Sequence, residues 1–373
     1  MNATRHRFRR ICATSSLLLV LFSPAGLLAR EDELIRTVCL VRHGERTPWS
    51  SGYTKLRYQW TESPGQLTRA GARQTFLLGK QYADRYIKQL RLLPQECAPN
   101  SIHVVCTEMS RTILSARSIL AGMYAPDASL EAGDGWWSTL ESRTGVAGIQ
   151  KVPITTITRG QKNHLLSKEQ EDAGLFQSNV NRVLKTPEFA ALNKEHQTDL
   201  DRWGKIAGVT SPIANVWELV GFSDYLYGMV HATPPLPLPD SLSVSEANRI
   251  IDTGFTNQAR LFSTPFMTRY LASDFVKQLC GDLEAATRTN QECKLTLYVG
   301  HDISILPVMA AVGSPLSTNP PYAAHMEFEL YRSERGKVFT VRTFYQGASL
   351  PIANKDNPTL SEFTNAVAWV MRP

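Results

Sequence analysis

Residues 38–49 read VCLVRHGERTPW: an unbroken apolar run, then two arginines and a histidine within five positions, then a proline. A strand with one wet face alternates apolar and polar residues, so an unbroken run predicts a strand covered on both faces, as in a parallel sheet. The chain contains two more such runs. SIHVVC (101–106) leads into Thr107, Glu108, Met109, Ser110 and Arg111, and LTLYV (295–299) leads into Gly300, His301 and Asp302. A helical pattern follows each: 67–90 with Thr68 as N-cap, 110–124 with Ser110 as cap, and 303–313, where Pro307 fits only in the first turn or at a kink. Strand, polar turn and helix, three times over, predict an α/β fold with an open sheet and flanking helices. Such sheets bind ligands at the carboxyl ends of their strands, where helix N-termini also point. The three polar clusters are therefore expected on one edge.

That edge would gather Arg42, His43, Arg46, Arg111, His301 and Asp302. Three converging guanidiniums are costly unless an anion sits among them, and their forked donors match phosphate oxygens. A histidine amid arginines is pushed towards its neutral form, whose lone pair is a nucleophile towards phosphorus. His43 is then expected to form a phosphohistidine, with Asp302 protonating the leaving alcohol. The chemistry calls for no metal and no cofactor, and no cysteine or histidine spacing signals a metal site.

The remainder of the chain frames this edge. Between about 135 and 275 the texture becomes polar and helical, with patches at 187–203, 214–231 and 243–279. Trp136 and Trp137 open it, and TPPLPLPD (233–240) interrupts it. We read a mostly helical cap (135–275) inserted into a catalytic domain of 30–134 plus 276–373. The same segment suits either a substrate channel or a homodimer contact. HMEFELYRSERGKVFTVRTFY (325–345) predicts a β-hairpin at the sheet edge.

Residues 1–29, with four arginines before SLLLVLFSPAGLLA, have the form of a cleavable signal peptide, so export to the periplasm or medium of a bacterium is expected. Cleavage leaves 36 basic and 34 acidic residues, a net +2, which gives no reason to expect nucleic acid as a partner. No membrane anchor is signalled either. In an oxidising compartment the cysteines are expected to pair, Cys280 with Cys293 and Cys97 with Cys106, leaving Cys39 a buried thiol.

VRHGERTP, TEMSRTILSA and the late YVGHD together resemble the signatures of the histidine acid phosphatases, branch 2 of the histidine phosphatase superfamily, and the likeness runs along nearly the whole mature chain. DYLYGMVHATPPLPLP and PPYAAHMEFELY add to it, resembling prostatic and lysosomal types. The resemblance implies a phosphoglycerate-mutase-like sheet and hydrolysis of small phosphomonoesters with an acidic optimum. It also implies phosphate ligands at Arg42, Arg46, Arg111 and His301, His43 as nucleophile, and Asp302 as proton donor. A phytase shares these motifs, but Lys151, Arg159, Lys162 and Lys168 are mixed with acids and make no basic wall for so anionic a substrate. A lysophospholipid-phosphate phosphatase or a non-catalytic phosphate binder are further alternatives. Glu45 reads as a solvated turn residue or a partner for an arginine. His231 and His325 read as structural or channel-lining.

Overall fold

In the computed structural model, residues 32–49, 62–125, 151–160, 168–209, 212–232, 235–288, 291–333 and 336–372 are described, with Tyr53, Tyr58 and Trp60 between the first two segments. The expected signal peptide, Trp136, Trp137, Lys162 and His164 lie outside them.

Strand β1 (Glu33–Arg42) carries the opening run. After it come α1 (Arg69–Tyr82), which continues as a π-helical stretch (Ala83–Gln89), then β2 (Ile102–Thr107), α2 (Ser110–Tyr124) and β3 (Ile154–Ile157). The central helices are α3 (Lys168–Glu171), α4 (Ala173–Leu184), α5 (Pro187–Ala207), α6 (Leu219–Val230), α7 (Val244–Phe262) and α8 (Pro265–Arg288). The chain ends through β4 (Leu295–Gly300), α9 (Asp302–Ala311), β5 (His325–Arg332), β6 (Phe339–Tyr345), β7 (Ala348–Ser349) and α10 (Leu360–Val367). The sheet order is β3-β2-β4-β1-β5-β6-β7, parallel from β3 to β1 and antiparallel beyond it. The predicted hairpin is the β5–β6 pair.

The unbroken apolar run of β1 has the expected cause. Val38 and Leu40 enter one core with Phe275 and Leu279 of α8, Val308 of α9 and Phe363 of α10. Cys39 and Val41 enter the opposite core with Tyr82, Tyr86 and the α2 residues Ile119 and Leu120. On that second face α1 and α2 cross at glycine: a side chain on Gly79 would collide with the Ile119 carbonyl, and one on Gly122 with that of Phe76. The helical insertion has its own core, in which Trp203 of α5, Phe222 and Leu226 of α6 and Ile250 of α7 are fully buried.

Several expectations are corrected. The segment read as cap contributes β3 to the sheet edge, and α8 runs straight through the 275/276 boundary. Thr68 caps α1, accepting from the Gly71 amide, but the N-cap of α2 is Met109, with no side-chain bond, and Ser110 instead donates to Gln66. Pro307 lies in the second turn of α9, not the first.

Neither disulfide forms: Cys39, Cys97, Cys106, Cys280 and Cys293 are all free. Residues 281–288 are helix, so about 12 Å of α8 follows Cys280 before the chain turns back to Cys293. Cys106 sits at the far end of β2, about 13 Å beyond Ile102, and its thiol donates to the Thr112 carbonyl.

Candidate active site

The parallel strands deliver their polar turns to one edge, as predicted. His43 follows β1 directly, and its amide bonds to the Gly300 carbonyl at the end of β4 (2.9 Å). The turn after it presses on the start of α1. A side chain on Gly44 would fall inside the Gly71 carbonyl oxygen, and one on Gly71 inside the Glu45 carbonyl oxygen, so only glycine serves at either position. Glu45 turns out to be neither solvated nor an arginine partner. Its carboxylate accepts from the Thr68 hydroxyl (2.8 Å), which fastens the turn to the cap of α1.

His43 is buried, and its Nδ1 lies 2.7 Å from the Gly44 carbonyl. A carbonyl only accepts, so Nδ1 carries the proton and Nε2 the lone pair. Burial first, then Arg111, His301, Arg46 and Arg42, hold the imidazole well below its ordinary pKa of 6.5. His301, with its ring 5.4 Å from that of His43, is lowered by burial and by the same arginines. It is the N-cap of α9: its carbonyl accepts from the Ser304 amide, its own amide donates to the Ser304 hydroxyl, and Nε2 lies 3.0 Å from the Thr107 hydroxyl at the end of β2.

The three arginines occupy different positions. Arg46 forms a two-pronged pair with Asp224 of α6, both contacts 3.0 Å, and this raises its already high pKa despite burial. Arg42 is fully buried beneath His43. It bonds to the Pro320 carbonyl, reaches Asp302 at 3.6 Å and stacks on Tyr322 at 4.5 Å. Among the described residues Arg111 has no carboxylate partner: Nη1 meets the Gly65 carbonyl at 3.3 Å and Nη2 meets Nδ1 of His301 at 3.5 Å. Burial and the neighbouring Arg46 press its pKa down to about 9. Among the described residues the Nε–H of all three is buried without a partner, as it is in Arg36 and Arg342 away from the site. Both imidazoles are held neutral, and the three guanidiniums stand with two carboxyl groups, Asp224 and Asp302.

These groups surround a cavity of about 430 Å³. Its inner wall is His43, Arg46, Arg111, His301 and Asp302, five of the six predicted residues, with Arg42 just behind. Its outer wall adds Trp49, Glu108, Met109, Arg159, Glu169 and Ile303. His231 stacks on Tyr227, and His325 pairs with Glu327 at 2.6 Å, so both serve structure. Sequence reading missed Asp224. Its only signal is an acid one turn before Tyr227 on an otherwise apolar helix, and Tyr227 packs on the Tyr322 that underlies Arg42 and His43. It also missed Asn319, whose amide donates to Asp302 (3.2 Å). Among the described residues, no group of three or more His, Cys, Asp or Glu is arranged to hold a metal ion, and no helix is long and apolar enough to cross a membrane.

The sequence model of the histidine phosphatase superfamily (branch 2) matches residues 33–205 and 254–346. Relatives include bovine lysosomal acid phosphatase, 24 % identical across 91 % of this chain and 78 % of that protein. Human prostatic acid phosphatase is 23 % identical across 88 % and 81 %. Among solved structures, the Hafnia alvei phytase in complex with myo-inositol hexakis sulphate has the same fold (TM-score 0.64, 18 % identity, 91 % of this chain and 98 % of that one). A multiple inositol polyphosphate phosphatase from Bifidobacterium longum superposes with a TM-score of 0.60 at 11 % identity, over 95 % of each chain. The chain belongs to branch 2 of the histidine phosphatase superfamily, and, as the acid phosphatases it resembles along most of its length indicate, it is a hydrolytic phosphatase.

Proposed function

We propose that the chain is an exported acid phosphatase that hydrolyses small phosphomonoesters by two displacements at His43. In the first, Nε2 attacks phosphorus and the P–O bond to the alcohol breaks, while Asp302 gives its proton to the departing oxygen. In the second, water attacks the phosphohistidine, Asp302 takes the water's proton, and phosphate leaves. Nδ1–H keeps its bond to the Gly44 carbonyl throughout, which offsets the positive charge that phosphorylation places on the ring. Arg46, Arg111 and His301 would face the phosphoryl oxygens, with Arg42 adding charge from beneath and orienting Asp302. The observation that carries this reading is the convergence of Arg46, Arg111, His301 and Asp302 on one cavity with a neutral His43 whose Nε2 is free.

The phytase reading finds less support. Lys168 is tied to Glu171 (2.9 Å) and Asp274 (2.7 Å), Lys151 does not line the cavity, and Arg159 is the single rim cation among the described residues. Purified protein should release phosphate from an aryl phosphate near pH 5 in the presence of EDTA. His43→Ala should lower that rate by at least about 10⁴-fold. Labelled phosphate should be trapped on His43 in Asp302→Ala. Activity that survives His43→Ala would overturn the mechanism, and tight phosphate binding without any turnover would make the chain a binder. Export is tested by the N-terminus of the mature protein, expected near residue 30.

A further inference from the structure

The cavity is electrostatically two-sided. Its floor is cationic, but its rim carries two carboxylates, Glu108 and Glu169, against the one guanidinium of Arg159. Glu108 follows directly on β2 and its side chain is exposed. Glu169, on α3, lies close enough to Asp302, Arg159 and Arg111 for each to act on its carboxyl. Glu169 is exposed at the rim; partial desolvation and then Asp302 raise its pKa, and Arg159 and Arg111 act against them. Neither carboxylate makes a hydrogen bond or ion pair among the described residues, the Glu108 amide alone bonding to the Ile157 carbonyl (3.1 Å). Between the two walls stands Trp49, 58 % exposed, with the Arg111 guanidinium 5.1 Å from its ring centroid.

Resting on the phosphatase reading above, we propose that Trp49, Glu108 and Glu169 form a leaving-group subsite for a cation, and that the preferred substrates are phosphomonoesters of amino alcohols. The phosphate of such an ester enters the arginine floor, and its ammonium meets two carboxylates and an aromatic face. Ring quadrupole and carboxylates both favour that charge. A cavity of about 430 Å³ holds a phosphate and a leaving group of a few heavy atoms. The same rim repels any substrate with further phosphates, because these would be set against Glu108 and Glu169.

Phosphocholine and 3,3-dimethylbutyl phosphate, which share a shape and differ by one positive charge, isolate this term. At pH 6 and low ionic strength, kcat/KM should favour phosphocholine by about tenfold. The ratio should shrink as salt is added, and should fall to about one in the double variant Glu108→Gln, Glu169→Gln. Each ratio is internal to one protein, so a partly unfolded variant does not distort it. A wild-type ratio near one overturns the subsite, as does a ratio that the double variant leaves unchanged. Aryl phosphate hydrolysis in the same preparation separates the two claims: turnover with a ratio of one removes the subsite alone, whereas absence of all turnover removes the phosphatase reading with it.

Discussion

On the α1 side of the sheet, fully buried Glu329 accepts from Arg85 (2.5 and 2.6 Å), Tyr86 (2.9 Å) and Tyr331 (2.8 Å), and its neighbour Glu327 accepts from Tyr82 (2.7 Å) and His325 (2.6 Å). At the carboxyl end of the adjoining strand, three arginines share two carboxyl groups, and among the described residues Arg111 pairs with neither. Both clusters bury charge beside β1, but the first is saturated from within and the second is left open. A saturated network ties the π-helical stretch to the sheet and specifies the fold. An open one withholds stability from the empty protein and returns it when an anion arrives.

The comparison is broken most severely at Arg111. Arg111→Met should lower kcat/KM by about 10³-fold in a steady-state assay, yet raise the unfolding free energy by about 1 kcal/mol, because it removes a buried cation that lacks a counter-ion. Glu329→Gln should do the reverse. Urea titration should show a loss of about 3 kcal/mol as Arg85 and two tyrosines face a weaker acceptor, while kcat/KM of the folded fraction stays near wild type.

Asp224→Asn should act between these poles. It keeps the volume but loses the two-pronged charge pair that aims Arg46, so kcat/KM should fall about tenfold, mostly through KM for the ester. The smallest effect is on pH dependence. In the folded protein His43 and His301 stay neutral below pH 6.5, whereas their unfolded counterparts take up protons. Stability is therefore present in full above the unfolded value and is lost as pH falls below it, by about 1.4 kcal/mol per pH unit for each imidazole. Thermal melts of His43→Gln and wild type between pH 7.5 and 5 should show the shallower slope in the variant.

What the sequence made legible was periodic or local. The three apolar runs, the Thr68 cap and the 325–345 hairpin each depend on a few adjacent residues, and each stands in the structure. The site was legible because the strand termini carry it: strand direction alone brings Arg42–Arg46, Arg111 and His301–Asp302 together. The missed features depend on distance or on competition. Asp224 meets Arg46 across 178 positions, and nothing in DYLYGMV points outward to it. The cysteine pairs looked close along the chain, but a strand and a helix carried the partners apart. Ser110 lost the cap to Met109 because the helix begins one residue earlier than a cap at the serine requires.

The interlock of Gly44 and Gly71 has a consequence for how such an enzyme changes over generations. His43 is positioned by backbone resting on backbone, with no side chain between that drift can trim or enlarge. Glu108, Arg159 and Glu169 stand on other segments, Trp49 lies five residues beyond Gly44, and none of the four takes part in that joint. The choice of alcohol can thus be rewritten at the mouth of the pocket while the attacking nitrogen keeps its place.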